Sequence, residues 1–345
     1  MLKFARMRRI SNIALFLGVS ALLFLSRTSA GATFKVAEYE SIYNFALPSA
    51  HAATLAQTED GTLVCAFFGG PAEKSPDTAI FIARKRPGGK WTRPTEIANG
   101  KFGKDKRTAA WNPVLFVDGK HIYLFYKLGD SPRTWEGFVK VSADNGKTWG
   151  MQFKLDDGLI GPTKNKPIKF RDKIIMPSSR EFHASFGWSS CFEIVQLDNI
   201  RQIKVPGSIF YGAIQPAVVR LQDGTLKAFM RSRCGYVCQS SSKDGITWSA
   251  AERTEIPNPN SGLDAIALKD GKIALACNPT EKDRNEMALF ISSNGGQTWE
   301  KVFSKKRKYP QEYPSIIESR DGKIHLIYTR NRHISHIVLE RADEK

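Results

Sequence analysis

Short apolar runs rich in β-branched and aromatic residues alternate with polar turn signals along almost the whole chain. Ala217-Val218-Val219-Arg220-Leu221 precedes Asp223-Gly224 and Leu226 to Met230 follows it, the pattern of two strands joined by a tight hairpin. The same arrangement surrounds Asp60-Gly61, Asp118-Gly119, Arg171-Asp172-Lys173, Asp270-Gly271 and Asp321-Gly322. These six turns recur at intervals of about fifty residues, the spacing of units that close into a ring. Helical periodicity is almost absent, so an all-β chain is expected.

A second repeat falls between the turns. Ser142-Ala143-Asp144-Asn145-Gly146-Lys147-Thr148-Trp149 recurs as Ser292-Ser293-Asn294-Gly295-Gly296-Gln297-Thr298-Trp299, and as Ser241 to Trp248 with Lys243 in the acidic slot. A worn copy runs from Arg84 to Trp91, and the four tryptophans stand 58, 99 and 51 residues apart, so the middle gap spans two units. The logic of this octapeptide is local. Its Asp or Asn and Ser/Thr oxygens bond turn amides, its Gly accepts positive φ, and its Trp buries a large face against a neighbouring sheet. These residues are read as structural, none as catalytic.

The first thirty residues break the pattern. Lys3, Arg6, Arg8 and Arg9 precede an apolar run from Ile13 to Leu25, and Thr28-Ser29-Ala30 closes it with small residues, the make-up of a secretory signal. The run is shorter than the roughly 17 to 25 apolar residues that cross a bilayer, so no membrane span is expected after cleavage. The expected division is a signal peptide over 1–30 and one propeller over 31–345, secreted or periplasmic. Loss of residues 1–30 lowers the formal net charge from +17 to +12. An exported basic chain meets little nucleic acid, and no Lys/Arg helix or aromatic-basic platform is present, so an acidic glycan or glycoconjugate is the expected partner. Cys65, Cys191, Cys234, Cys238 and Cys277 are odd in number, and only Cys234 and Cys238 are close in sequence. The six histidines show no ligand spacing, so neither a metal nor a cofactor is expected.

With four octapeptides in register with six turns, the chain resembles the sialidase (neuraminidase) superfamily, whose octapeptide is the Asp-box, and within it the bacterial sialidase-like proteins built of BNR repeats. The likeness runs from about Phe34 to the C-terminus. It implies a six-bladed β-propeller of four-stranded antiparallel blades, with Phe34 to Ile42 completing the last blade. It also implies a pocket on the ring axis where three arginines hold a substrate carboxylate, a tyrosine with a glutamate beside it attacks, and an aspartate serves as acid/base.

Carried over position by position, the resemblance makes Tyr313, eight residues before Asp321, the nucleophile. A phenol suits that role because it meets less repulsion from a substrate carboxylate than a carboxylate nucleophile does. Arg231, closing the strand after Asp223-Gly224, matches the second clamp arginine, and Arg284, after Cys277-Asn278-Pro279, resembles the third. Two positions depart from the pattern. The first clamp arginine is His51, readable as a replacement cation, a neutral base or a packed core histidine. The glutamate is Gln215, an amide that can orient a phenol but cannot take its proton. For the acid/base, the loop from Gly69 to Asp77 offers Asp77, favoured, and Glu73. Trp111-Asn112-Pro113, Lys127, Lys164-Asn165-Lys166, Ser178 to Glu181, Asn260, Asp264 and Glu312 stand at expected inner-strand ends, as candidate contacts to sugar hydroxyls and acidic groups.

The leading expectation is an exo-glycosidase that removes a terminal acidic sugar. A polysaccharide lyase, with His51 or Tyr313 taking the C5 proton of a uronic acid, and a glycan-binding propeller without turnover are the alternatives.

Overall fold

Each of the six turns joins the first two strands of a separate antiparallel sheet. The computed structural model describes residues 34–42, 47–102, 106–181, 187–196 and 202–342, so the export segment read from residues 1–30 lies outside it. Among the described residues every regular element is a strand, and no helix is long and apolar enough to cross a membrane.

Blade one comprises Ser49–Gln57, Leu63–Gly70, Ala79–Lys85 and Thr95–Phe102, with Lys106–Thr108 as a short fifth strand that the four-stranded expectation did not include. Blade two comprises Ala110–Asp118, His121–Leu128, Glu136–Ser142 and Phe153–Lys154; blade three comprises Ile168–Phe170, Lys173–Glu181, Trp188–Gln196 and Gln202–Tyr211. Blade four comprises Ala213–Arg220, Leu226–Ser232, Tyr236–Ser242 and Glu252–Pro257; blade five comprises Asp264–Ala267, Ile273–Cys277, Glu286–Ser292 and Glu300–Lys306. Blade six is built from both ends of the propeller: Gln311–Glu318, Ile324–Arg330 and His333–Arg341 are followed at the edge by the N-terminal strand Phe34–Ser41, paired antiparallel from Phe34↔Arg341 to Ser41↔Ser335. This pairing closes the six-bladed β-propeller.

The core is not one mass but six wedges, each between two neighbouring blades. Val64, Phe68 and Ile80 of blade one pack with Leu115, Leu124 and Tyr126 of blade two, and Val114 and Phe125 of blade two with Met176 of blade three. Further wedges join blades three and four, four and five, five and six, and finally Ile327 and Ile334 of blade six with Leu55 and Phe67 of blade one. Each sheet thus buries both faces, which is why its strands read as nearly continuous apolar runs.

The octapeptides supply anchors for these wedges. In blade two the Asp144 carboxylate accepts from the amides of Lys147 at 3.0 Å and Thr148 at 2.9 Å and from the Thr148 hydroxyl at 2.6 Å, while Ser142 Oγ accepts from the Gly146 amide at 2.9 Å. Trp149 then packs into the wedge between blades one and two, and Trp299 does the same between four and five. The blade-four copy corrects the sequence alignment. Ser242, not Ser241, holds the Gly245 amide at 2.8 Å, and Asp244 accepts from the Thr247 amide at 2.7 Å. The turn is one residue shorter, so Asp244 occupies the acidic slot and Lys243 is exposed.

Candidate active site

The innermost strands lose their regularity where they approach the axis. Strand pairing slips between His51 and Thr54, Trp111 and Val114, Ile214 and Ala217, and Glu312 and Ser315. Inside these four bulges Ala52, Asn112, Gln215 and Tyr313 have φ of 52°, 33°, 57° and 54°, and Asn260, just ahead of blade five, has 57°. A left-handed residue other than glycine costs about 1–2 kcal/mol, and such strain is retained where surrounding structure fixes a functional side chain. A bulge also re-aims the side chains beside it. Here the effect brings residues of blades one, four, five and six into contact.

Tyr313 is the hub. Its hydroxyl oxygen accepts from Arg231 Nη1 at 3.1 Å and from Gln215 Nε2 at 3.2 Å. Arg231 Nη1 also reaches Gln215 Oε1 at 3.3 Å, and because a guanidinium can only donate, that contact fixes the amide with its oxygen toward Arg231 and its nitrogen toward the phenol. Arg231 further donates through Nε to Asn260 Oδ1 at 3.0 Å and through Nη2 to the Asn260 carbonyl at 2.7 Å. Arg284 Nη2 shares that carbonyl at 3.0 Å, so the two guanidinium groups meet at one atom, and Arg284 Nη1 is paired with Glu312.

His51 lies against Tyr313, with ring centroids 4.5 Å apart. Burial pulls the imidazole down to about 4, against the pull of Glu312 and with Arg284, Arg231 and Lys164 adding to it. The ring is neutral at pH 7 and adds no positive charge to the two arginines there. Lys164 supports the strand that carries Tyr313: its buried Nζ donates to Pro314 O at 2.5 Å, Leu263 O at 2.8 Å and Asn165 Oδ1 at 3.0 Å, and stands 5.9 Å from the Tyr313 ring centroid. Burial lowers this ammonium to about 7, opposed by Asp264 and reinforced by Lys166 and Arg231. Asn165 in turn donates to Gln215 O at 2.9 Å. Gly262 packs tightly beside this contact: a Cβ there would fall 3.2 Å from Lys164 Cε and 3.4 Å from the Tyr313 ring.

The two acid/base candidates differ in surroundings. Asp77 is exposed and ion-paired with Arg107 at 2.7 Å. Glu73 is exposed as well, yet partial desolvation in its loop raises its carboxyl, with Lys74 opposing that rise, Glu312 adding to it and Arg284 opposing it.

Five of the candidate contact residues serve elsewhere. The Asn112 amide donates to Thr163 O at 3.1 Å, and Lys127, wholly buried, donates to Asn112 O at 3.1 Å and to Pro162 O, clasping blade two to the segment before blade three. Lys166 is ion-paired with Asp264, whose Oδ2 also accepts from the Ile316 amide at 2.8 Å. This pair lines a cavity of about 280 Å³ with Val218, Val219 and Ile266, toward the Asp-Gly end of the inner strands. Ser179 Oγ accepts from the Gln215 amide at 2.7 Å, a supporting role. Trp188 escaped the sequence reading: its ring lies 5.1 Å from the Arg231 guanidinium carbon and 4.2 Å from that of Arg233. Blade three carries no octapeptide, so no repeat marked it. A usable signal did exist for the bulges, because Gln215-Pro216 and Tyr313-Pro314 both stand eight residues before an Asp-Gly turn.

The profile of the BNR repeat-like domain matches residues 61–326. The chain belongs to the BNR repeat-like family. Its propeller is similar to that of a protein of unknown function from Dyadobacter fermentans, at 16% identity and a TM-score of 0.75, covering 90% of this chain and 100% of that one. It is also similar to the NanB sialidase of Streptococcus pneumoniae, at 13% identity and a TM-score of 0.69 over 88% of this chain and 70% of that one. The intramolecular trans-sialidase of Ruminococcus gnavus aligns at 15% identity and a TM-score of 0.66, over 89% and 97% of the two chains. At such identities the likeness carries the BNR propeller fold alone. Comparison with curated proteins gave no match.

Proposed function

We propose that this BNR repeat-like protein is an exo-acting glycosidase that releases a terminal acidic sugar. The reading rests on one observation: the Tyr313 oxygen accepts two N–H donors, from Arg231 and Gln215, within reach of a second guanidinium. Arg231 and Gln215 fix the direction of the Tyr313 hydroxyl by donating to its oxygen, and the proton it loses on attack passes to the neutral imidazole of His51 beside the ring. Arg231 and Arg284 hold the sugar carboxylate, and Tyr313 attacks the anomeric carbon. The raised Glu73 carboxyl protonates the leaving oxygen, the role a carboxyl pushed upward suits, and then activates water for the second step.

The test is product analysis on a panel of acidic glycans, including lipopolysaccharide-type ones. Release of a free acidic monosaccharide with a reducing centre and no new ultraviolet absorbance is the expected result. Neutral His51 beside Tyr313 favours one second reading, proton abstraction from C5 of a uronic acid followed by elimination. That reaction leaves an unsaturated, ultraviolet-absorbing sugar. Tight calorimetric binding of an acidic glycan with no product of either kind contradicts both enzymatic readings and leaves a binding propeller.

A further inference from the structure

The hairpin that follows Arg231 carries two cysteines in contact. Cys234 is exposed at its turn, and Cys238, in the next strand, is buried. Their sulfurs lie 3.5 Å apart. Closing that gap to the roughly 2.05 Å of a disulfide takes a shift of about 1.5 Å, within reach of a side-chain rotation at the exposed partner. The turn has room for it: Gly235 has φ 84°, and no atom lies within 4 Å of where a Cβ would stand.

The pair is also chemically asymmetric. Ser232 Oγ lies 2.9 Å from Cys234 Sγ and accepts from the Cys234 amide at 3.2 Å. Burial raises the Cys234 thiol, but hydrogen bonds around Ser232, Tyr236 and Cys238 outweigh it and bring the group below its ordinary value. Burial pushes Cys238 up to about 12. An exposed attacking thiol thus stands against a protonated, buried resolving thiol, the arrangement that thiol–disulfide exchange requires. Cys65, Cys191 and Cys277 are buried.

We propose that Cys234 and Cys238 form a thiol–disulfide exchange site that reacts with low-molecular-weight disulfides and closes to an intrachain disulfide across the hairpin holding Arg231. The Cys234 thiolate attacks one sulfur of a disulfide RSSR, forming a mixed disulfide and releasing RS⁻. Cys238 passes its proton to that thiolate and attacks the Cys234 sulfur, expelling the second RS⁻. The protein dithiol loses two electrons and two protons, and RSSR becomes two RSH. The closed bridge ties the turn that directly follows Arg231 and Arg233, the two residues whose guanidinium groups lie over Trp188. The export expected from residues 1–30 leads to compartments where such bridges persist.

The experiment treats the full, reduced, folded chain with oxidised glutathione, then denatures, alkylates and digests it with trypsin. Cleavage after Arg233 and Lys243 leaves both cysteines on one peptide. The expected result is that this peptide loses about 2 Da, for two hydrogens, and takes up no alkyl group. Peptides carrying Cys65, Cys191 and Cys277 are expected fully alkylated, and Cys238→Ser is expected to stop at a glutathione adduct on Cys234. Recovery of both cysteines alkylated, or of a persistent glutathione adduct on Cys234 in the parent chain, overturns the proposal. None of these readouts depends on glycosidase activity.

Discussion

Around Tyr313 the direction of each hydrogen bond is set by what its partners can do. Arg231 has donors only, so Gln215 must turn its oxygen to the guanidinium and its nitrogen to the phenol. Removing Arg231 therefore takes away one of the two guanidinium groups of the proposed clamp and leaves the Gln215 amide free to turn over. Arg231→Ala is expected to lower kcat/KM by about 3 kcal/mol, roughly 100-fold, mainly through KM, and Arg231→Lys is expected not to restore it because an ammonium lacks the guanidinium fork. Kinetics on the true substrate check this; an unchanged KM removes Arg231 from the clamp. Lys164 adds a pH dependence. Its charge fades as pH rises through about 7, so affinity for an acidic sugar is expected to weaken above that value. Titration calorimetry from pH 6 to 9, with Lys164→Met expected to flatten the profile, tests the assignment. The structure brings Arg231, Arg284, Gln215 and Tyr313 together; Gln215, Arg231 and Tyr313 could be singled out by their distances from an Asp-Gly turn, and Arg284 by its place after Cys277-Asn278-Pro279. The protonation of His51 was not, since it depends on burial and on charges from three other blades.

At the level of the element, hairpin turns and octapeptides were readable because their hydrogen bonds are local. Asp144 illustrates this: every partner in its turn lies within four residues. Asp144→Ala is expected to cost about 2 kcal/mol of stability in denaturant unfolding while leaving KM unchanged. Asp144 and Asp244 are both held at about 2 by bonds from their turns. Their folded values lie below the unfolded value near 3.8, so the stability they add is present above pH 4 and is lost as pH falls toward 2. The one-residue shortening in blade four was missed because the tryptophan spacing tolerates it. The inner-strand bulges were missed for a different reason. A following proline marks the bulges at Gln215 and Tyr313, but positive φ at Ala52 is imposed by closing the ring around polar groups, and nothing in the intrinsic preference of alanine announces it.

Over the whole molecule, closure depends on Phe34–Ser41 completing blade six, and a buried polar chain lies at that seam. Glu40 Oε2 stands 3.2 Å from His336 Nδ1, and His336 Nε2 stands 3.0 Å from His325 Nδ1. Burial lowers both imidazoles, as it does His51. Folded histidines that resist protonation favour the unfolded chain as pH drops, so stability is expected to be steady above pH 6.5 and to fall between about 6.5 and 4. Thermal melting across that range checks the sign, with His325→Gln expected to reduce the slope. The six-blade architecture was legible in full from its fifty-residue period, whereas Trp188, on an unmarked blade, became visible only in three dimensions. The central claim is that these distant residues converge to make Tyr313 a nucleophile toward an acidic sugar. It is tested most directly by trapping with an acidic glycosyl fluoride bearing a second fluorine beside the anomeric carbon, which slows breakdown of a glycosyl-enzyme. Peptide mapping is expected to find the sugar on Tyr313 and no adduct in Tyr313→Phe; an adduct on any other side chain, or full turnover by Tyr313→Phe, contradicts the account.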